Sequence, residues 1–565
     1  MKKKIVYGVV ALSLIGSMAI PYGCKKISPD NYTISVNTDV FSAPTAILFE
    51  NANSTSDKQP GDFPITISGK DADKVITSLG KSTYGVTNGF TFLSLKKGVE
   101  PTRENPITFK VSGKPDGFES FVYDVVITEN AEQNFSFKLI EEGAALPSGM
   151  VELKQNETLT NGKPSNPIVI ETTTTNSGTE QSAKMDMAAG TVIFGLDKKT
   201  PLTGSDLAIN VRYFDPRTEA NDVVPGGLNP QDVVDKNNNK IEGGANFISA
   251  GVIKVDMTVN GTKVGGFDKE VAAQIELASG QDNPETGEPL KVGDKMPLWS
   301  RNDETGQWSA EDSAIVAQNG NKLVAKFKMI HLSSYGLMYR PKNRIFTFKF
   351  EQTGFVSSGT TGSIFDELFT GQLVYITAYS KEGTIIIPKR PIYVSGLENN
   401  YYFIMPMLDV AYFKFTDANT GKVVQTANIN TKNQALYSFN LSQFDDPNVI
   451  NLALDYTIKC TANKMIPSAG TYAIITNLNT KQKITVRIDA PSKTKKGGMK
   501  IKLVNKNYYR IETLGLDGKI ISYESILDIN NLITKNVNGF TINKLIYNQS
   551  TKKVEAAVTY VTTKC

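Results

Sequence analysis

The chain's only histidine, His331, stands two residues before Ser333, a spacing that suits covalent chemistry. An imidazole can take the proton of a nearby hydroxyl, because its unperturbed pKa lies near working pH. The Ser333 oxygen could then attack the preceding carbonyl, that of Leu332, and water would hydrolyse the resulting ester. Strain in a sharp turn would favour this N→O acyl shift. The pattern therefore supports one hypothesis, self-cleavage between Leu332 and Ser333.

A structural interpretation of the same residues needs no chemistry. Strands rich in Ser and Thr often place a hydroxyl after a histidine by chance. His331 would then be a partly buried side chain that bonds a loop, while Ser333 faces solvent. The sequence favours this structural interpretation over cleavage.

The residues before and after His331 form a wider pattern. Trp299 and Trp308 flank Gly306, and a strand ending in His331-Leu332-Ser333 leads into Tyr335, Leu337 and Met338. Over roughly residues 245–340, this arrangement resembles the proteolysis-site motif of the GAIN domains, which induce receptor autoproteolysis, and the related ZU5-type domains. The resemblance implies a β domain in which His331 and Ser333 carry the cleavage.

The two tryptophans, Trp299 and Trp308, allow two interpretations. A pair of indole faces could stack on a sugar ring. No other aromatic residues cluster on them by spacing, so packing in a hairpin core is favoured.

The N-terminus has the pattern of an exported protein. Lys2, Lys3 and Lys4 precede an apolar run over residues 5–20, which is too short to be trusted as a membrane-spanning helix and is typical of a signal peptide. The run ends in Ile20-Pro21-Tyr22-Gly23-Cys24, which resembles the lipobox of bacterial lipoproteins. The resemblance implies removal of residues 1–23 and a lipid on Cys24, followed by a tether over 24–27. Lys25 and Lys26 carry no acidic retention signal, which by the same resemblance implies the outer membrane.

The charge balance of the mature chain argues against nucleic acid as a partner. Taking the three signal lysines from 61 basic residues leaves 58 against 57 acidic ones. A nearly neutral chain gives no electrostatic case for binding nucleic acid. We expect its partners to be the membrane, through the lipid anchor, and either a surface glycan or another surface protein.

Two cysteines remain once Cys24 carries a lipid. Cys460 and Cys565 each end a strand-like segment, and an exported protein can form disulfides. A bond between them would close a loop of roughly 100 residues, worth up to about 4.7 kcal/mol. The alternative is two unpaired thiols. Two cysteines and one distant histidine lack metal-ligand spacing, and no nucleotide or HExxH motif occurs, so we expect no cofactor or metal.

The fold class is predicted from the alternation of apolar and polar residues and from the turn signals between the alternating segments. Residues such as Ile107, Phe109 and Val111 alternate with polar ones, and Asn260-Gly261 is a hairpin signal. With 565 residues, the chain predicts an all-β string of three to four β-sandwich domains after the signal peptide. The first of these resembles carboxypeptidase-regulatory-like or immunoglobulin-like sandwiches, and the second the GAIN and ZU5-type domains. The predicted ranges are 28–143, 144–342, 343–455 and 456–565.

These features predict a non-enzymatic cell-surface lipoprotein that presents β-sandwich modules for binding or adhesion. Two alternatives stay open. One is the autoproteolytic surface protein that cleaves after Leu332, and the other is a glycan-binding lipoprotein of the outer membrane. The sequence does not indicate which residues would bind a ligand.

Overall fold

Strands form nearly all the regular structure in the part of the chain that the structure describes. A computed structural model describes residues 41–53, 55–77, 81–130, 133–172, 178–303, 305–351, 372–394, 400–460, 471–480, 482–488, 497–514, 520–530, 540–549 and 553–562. In these ranges the only helical elements are short 3-10 turns at Ala72–Lys74, Glu219–Val223 and Leu441–Phe444. None of the helices in the described ranges has the length and apolarity needed to cross a membrane. The all-β prediction is confirmed.

The first sandwich packs two four-stranded sheets, ordered β3-β5-β1-β8 and β4-β2-β6-β7. Phe49 of one sheet contacts Phe63 and Phe121 of the other, with ring centroids 5.3 Å apart in both pairs. The predicted alternation holds in β6, where Ile107, Phe109 and Val111 are buried. The strands are β1 Phe41–Asn51, β2 Phe63–Ser68, β3 Val75–Thr77, β4 Gly85–Val86, β5 Phe90–Lys96, β6 Ile107–Gly113, β7 Phe121–Ile127 and β8 Gln133–Leu139.

The second sandwich has two broad layers joined by one long hairpin. One layer is β10-β9-β14-β16-β23-β19-β20-β15, and the other is β11-β12-β17-β22-β21-β18 with β13 beside β17. Asn260 and Gly261 take positive φ angles of 46° and 80° at the turn between β16 and β17, so the predicted hairpin is confirmed. The strands are β9 Met150–Thr160, β10 Lys163–Pro164, β11 Ile168–Glu171, β12 Ala183–Met187, β13 Ile193–Gly195, β14 Asp206–Phe214, β15 Val233–Val234, β16 Ile248–Val259, β17 Thr262–Glu276, β18 Lys295–Met296, β19 Leu298–Arg301, β20 Trp308–Ala310, β21 Ala314–Asn319, β22 Lys322–His331 and β23 Ser334–Tyr339.

The third sandwich shares a continuous apolar core with the second. Its sheets are ordered β27-β24-β30 and β26-β25-β28-β29. Phe346, Phe348 and Phe350 of β24 are fully buried and form its aromatic centre, as their predicted alternation requires. The strands are β24 Asn343–Glu351, β25 Gln372–Ser380, β26 Ile385–Val394, β27 Asn400–Pro406, β28 Ala411–Asp417, β29 Val423–Gln425 and β30 Leu436–Asn440.

The fourth sandwich follows the short segment between Phe444 and Val449. Its first strand, β31, runs through the predicted boundary at residue 455, so the change of sandwich comes earlier in the chain. The sheets are ordered β34-β31-β38-β37 and β33-β32-β35-β36. The strands are β31 Val449–Cys460, β32 Thr471–Asn477, β33 Lys483–Ile488, β34 Gly497–Val504, β35 Tyr508–Leu514, β36 Ile520–Ile526, β37 Phe540–Asn548 and β38 Lys553–Thr562.

The first, third and fourth sandwiches share one connectivity. In each, the opening strand (β1, β24 or β31) lies between an antiparallel neighbour and the closing strand, which runs parallel to it. In each, the second strand of the sandwich (β2, β25 or β32) lies in the other sheet between two antiparallel neighbours, and a further strand extends that sheet. Three sandwiches are therefore variants of one topology, and the second is different.

The first sandwich also contacts the third and fourth sandwiches, which are distant from it in sequence. Leu48 and Phe90 of the first pack with Ile474 of the fourth, and Asn88 donates to Glu512 at 2.7 Å. The Arg390 guanidinium of the third lies over the Phe135 ring of the first, 5.2 Å from its centroid. These contacts join the first sandwich to the third and to the fourth.

Candidate functional site

His331 is the last residue of β22, and its ring is held by two neighbours. Nε2 lies 3.3 Å from Oε1 of Glu311, and Nδ1 lies 3.2 Å from the Tyr335 hydroxyl. That hydroxyl donates to the His331 carbonyl at 2.9 Å, and the two rings stack with centroids 5.4 Å apart. Burial raises the pKa of Glu311, but hydrogen bonds from His331 and Ser300 outweigh it and leave the pKa below its ordinary value.

Ser333 is buried at the turn after β22, contrary to the expectation that it faces solvent. Its hydroxyl donates to the Arg301 carbonyl at 3.0 Å. Among the hydrogen bonds of the described residues, none joins this hydroxyl to the His331 ring. Both residues therefore make structural contacts between strands, and cleavage after Leu332 stays a prediction.

The two tryptophans belong to a core on the outer face of the second sandwich. Trp308 is fully buried and Trp299 is 6% exposed, and both rings pack against Phe247. The Trp299 indole donates to the Met338 carbonyl at 2.9 Å. The core interpretation is confirmed, because neither indole presents a face on which a sugar could stack.

The cysteines lie at or beyond the limits of the described residues. Cys24, Cys565 and the signal peptide fall outside them, and of Cys460 the structure gives the backbone, which ends β31 opposite Thr562. The lipid on Cys24 and the Cys460–Cys565 disulfide stay predictions. Within the described ranges, no group of three His, Cys, Asp or Glu side chains could hold a metal.

A row of polar side chains crosses the outer layer of the second sandwich. Arg212 of β14 pairs directly with Lys254 of β16, Lys254 pairs with Ser334 of β23, and Ser334 pairs with Arg301 of β19. Directly paired residues of neighbouring strands project from the same face of a sheet. That face is turned toward the first sandwich, whose Glu119 carboxylate binds the Arg212 guanidinium at 2.5 Å.

Two adjoining cavities separate the first sandwich from this row, and together we call them the inter-sandwich cleft. The inner cavity has a volume of about 110 Å³ and extends to Arg301, between Tyr123 of the first sandwich and Gly226 of the second. The outer cavity has a volume of about 300 Å³, and its lining includes five acidic and three basic residues. Both share Glu119, Arg212 and Lys254 as walls.

Ion pairs hold most of the charged groups in this cleft. Arg212 also binds Glu152, at 2.7 Å, and the Lys254 ammonium lies 3.2 Å from Asp256 and 4.0 Å from Asp303. The Arg301 Nη1 atom lies 2.9 Å from Asp303. Burial lowers the pKa of the Arg301 guanidinium, although arginine stays charged in proteins.

Three buried polar atoms in and beside the row have no hydrogen-bond partner. They are Nε of Arg301, Oγ of Ser334 and Nε1 of Trp308. Trp308, on β20, pairs directly with Arg301 of β19. All three groups can donate a hydrogen bond. A buried donor without an acceptor costs about 1–3 kcal/mol, so such atoms are rare in folded proteins unless they have a role.

No pattern in the sequence indicates the inter-sandwich cleft. Arg212 and Lys254 are single cations in apolar strands, a pattern that indicates only an outward-facing position. Arg301 follows two residues after Trp299, within the segment predicted as a hairpin. Nothing in their spacing signals that they share one row, because register between strands is set by tertiary packing.

Strand pairing defines the chain as an all-β protein of several sandwiches. No protein-family model and no curated protein matches the sequence. Among solved structures, the chain is similar to a C-terminal fragment of the pilus adhesin SpaC from Lactobacillus rhamnosus GG (13% identity, 38% of this chain and 97% of that one, TM-score 0.13). It is also similar to the major pilin subunit of Bacillus cereus (10%, 92% and 99%, 0.13) and to the Bacillus anthracis TIE protein (8%, 99% and 79%, 0.13). With TM-scores this low, the fold assignment rests on the strand pairing alone.

Proposed function

We propose that this protein is a non-enzymatic, cell-surface lipoprotein whose packed β-sandwiches bind a ligand or another surface. The observation that carries this proposal is the inter-sandwich cleft, which residues of the first and second sandwiches build together. Binding sites commonly form where two domains meet, because each side contributes groups that the other cannot. The His331 and Ser333 side chains, in contrast, are engaged in contacts within the second sandwich.

The lipid anchor on Cys24 is the second part of the proposal. A diacylated N-terminus binds a membrane firmly, whereas a single acyl chain binds only reversibly. Palmitate labelling of cells that express the full chain tests it: label should enter the wild type and be absent from Cys24→Ala. Protease added to intact cells would then degrade the wild-type protein if it stands on the outer surface.

The binding role is tested separately, by attachment. Cells with the wild-type chain, cells with Cys24→Ala and cells without the gene are compared on immobilised glycans and surface proteins. We expect wild-type cells to attach to at least one ligand severalfold better than both others. Equal attachment of all three strains to every ligand would overturn the adhesive role, whatever the labelling shows.

A further inference from the structure

The Glu219–Val223 turn of the second sandwich lies between two other sandwiches. It packs against β8 of the first sandwich and against β26 of the third, and these two strands also contact each other. Asn221, which is 1% exposed, donates from Nδ2 to the Ile385 carbonyl at 3.0 Å, and the Ile385 N–H donates to the Pro216 carbonyl at 3.0 Å. We call this meeting point, formed by Glu219–Val223, β8 and β26, the three-way joint.

Apolar contacts also hold the joint closed. Ala220 and Val223 of the turn are buried in one core with Ala52, which follows β1 of the first sandwich. Lys138 of β8 and Val223 line the inner cavity of the inter-sandwich cleft as well. A change at the joint would therefore reach one wall of that cleft.

Asp222, in the same turn, opposes closure. Its Oδ1 atom is buried without a hydrogen-bond partner, and among the described residues no ion pair joins its carboxylate to a base. Lys138 of β8 is bound instead to Glu50 at 2.9 Å. The Lys389 ammonium of β26 lies 4.4 Å from the centroid of the Tyr375 ring. A buried carboxyl group that lacks an ion pair favours its protonated form, because water no longer stabilises the charge.

We propose that the three-way joint is a pH-sensitive latch, which closes firmly while the Asp222 carboxyl is protonated and loosens when that carboxyl ionises. The latch sets how firmly the first and third sandwiches are held on the second. It adds a form of regulation to the proposed binding role and does not depend on that role.

The groups that act on the Asp222 carboxyl come from the elements around it. Two lysines favour its ionised form, a second carboxylate opposes it, and two tyrosine hydroxyls also interact with it. These groups are Lys138 of β8, Lys389 of β26, Glu219 of the turn, Tyr123 of β7 and Tyr379 of β25. β14 packs against the turn too, but in the described part of the chain none of its side chains acts on this carboxyl.

The balance of these effects gives the direction of the pH dependence. Burial raises the pKa of Asp222 to about 6, although Lys138 lowers it. In an open joint, water would hydrate the carboxyl and return its pKa to the ordinary value of about 4. The closed joint then binds the proton more tightly, so this contribution to closure is complete below about pH 4 and is lost as pH rises through about 6. Burial also raises the pKa of Glu50, but Lys138 and Ser136 outweigh it, so Glu50 stays charged between about pH 5 and pH 7.

Hydrogen exchange of the purified full chain tests the latch through the Ile385 amide, which is protected while its bond to the Pro216 carbonyl lasts. Protection is corrected for the intrinsic effect of pH on exchange. We expect protection of the peptide that contains Ile385 to fall about tenfold between pH 5 and pH 7, because one carboxyl ionises in the closed joint. At pH 7 this peptide should also exchange faster than β16 in the core of the second sandwich, because the joint opens before that sandwich unfolds.

Three variants identify the group responsible. Asp222→Asn keeps a neutral side chain at every pH, so its protection at pH 7 should match its protection at pH 5. Asp73→Asn is the matched control, since Asp73 also lies in a 3-10 turn but is exposed, and it should behave as the wild type. Lys389→Gln removes a cation that favours the ionised carboxyl, so its loss of protection should begin at a higher pH.

Equal protection of the wild type at pH 5 and pH 7 would refute the latch. A loss that persists in Asp222→Asn would refute it as well, since another group would then titrate. Exchange of the Ile385 peptide no faster than β16 at pH 7 would show that the joint opens only when the second sandwich unfolds, which also contradicts the proposal. None of these results affects the palmitate labelling or the attachment assay, so the two proposals fail independently.

Discussion

Glu50 and Lys138 are directly paired residues of β1 and β8, the parallel opening and closing strands of the first sandwich, and their charged groups lie 2.9 Å apart. Burial raises the pKa of Glu50, but Lys138 and the Ser136 hydroxyl outweigh it and hold the pKa below its ordinary value. The pair therefore stabilises the closure of the sandwich as long as the carboxylate is charged.

Replacing Glu50 with Gln should lower the free energy of unfolding by about 1–3 kcal/mol at pH 7, because it leaves a partly buried ammonium without its counter-ion. A lowered folded-state pKa contributes stability above the unfolded-state pKa and loses it as pH falls, so the deficit should shrink below about pH 4. Chemical denaturation at pH 7 and pH 3.5 measures both effects. The control is Glu351→Gln, which breaks an exposed 2.9 Å pair with Lys349 and should cost less than about 1 kcal/mol.

Asp222 offers the opposite pH dependence. Desolvation raises its pKa to about 6, although Lys138 lowers it, and its Oδ1 atom has no hydrogen-bond partner. A raised carboxyl pKa means that the folded state binds the extra proton, so stability falls as pH rises from about 4 to about 6.

Asp222→Asn should therefore be more stable than the wild type at pH 7, by about 1–2 kcal/mol, and equal to it near pH 4. Thermal or urea unfolding across this range measures the difference. The exposed Glu242→Gln should stay within about 0.5 kcal/mol at pH 7. A variant less stable than wild type at pH 7 would show that the Asp222 carboxylate stabilises the fold through Lys138.

Trp308 is at the centre of the apolar core between the first and second sandwiches. Because it is fully buried against Phe247, Trp308→Ala should cost about 3–5 kcal/mol in unfolding free energy. Ile330→Ala, at a residue that is 59% exposed, should change stability by less than about 0.5 kcal/mol. Comparable losses in the two variants would contradict the packing described for this core.

Self-cleavage is tested by denaturing electrophoresis of the purified protein. We expect an intact chain of 61.7 kDa less the signal peptide, because His331 is held by Glu311 and Tyr335 while the Ser333 hydroxyl binds Arg301. Two fragments that Ser333→Ala abolishes would instead establish cleavage after Leu332. Fragments that persist in Ser333→Ala would indicate an external protease.

Local patterns in the sequence predicted what depends on local physics. Strands such as Ile107–Gly113 follow from alternation, and the Asn260-Gly261 turn follows from residues that accept a positive φ. The tryptophan pair was correctly placed in a core. The end of the third sandwich was misplaced near residue 455, because β31 continues the same alternation across that point.

The sequence by itself determined an all-β protein of several sandwiches, since side-chain alternation and turn residues act within a few residues of the chain. Tertiary structure alone decided that Arg212, Lys254, Ser334 and Arg301 form one row, and that the first sandwich faces it across a cleft. These four residues lie on four strands spread over more than a hundred positions. Their meeting depends on strand register and on the packing of two cores, which no local pattern encodes.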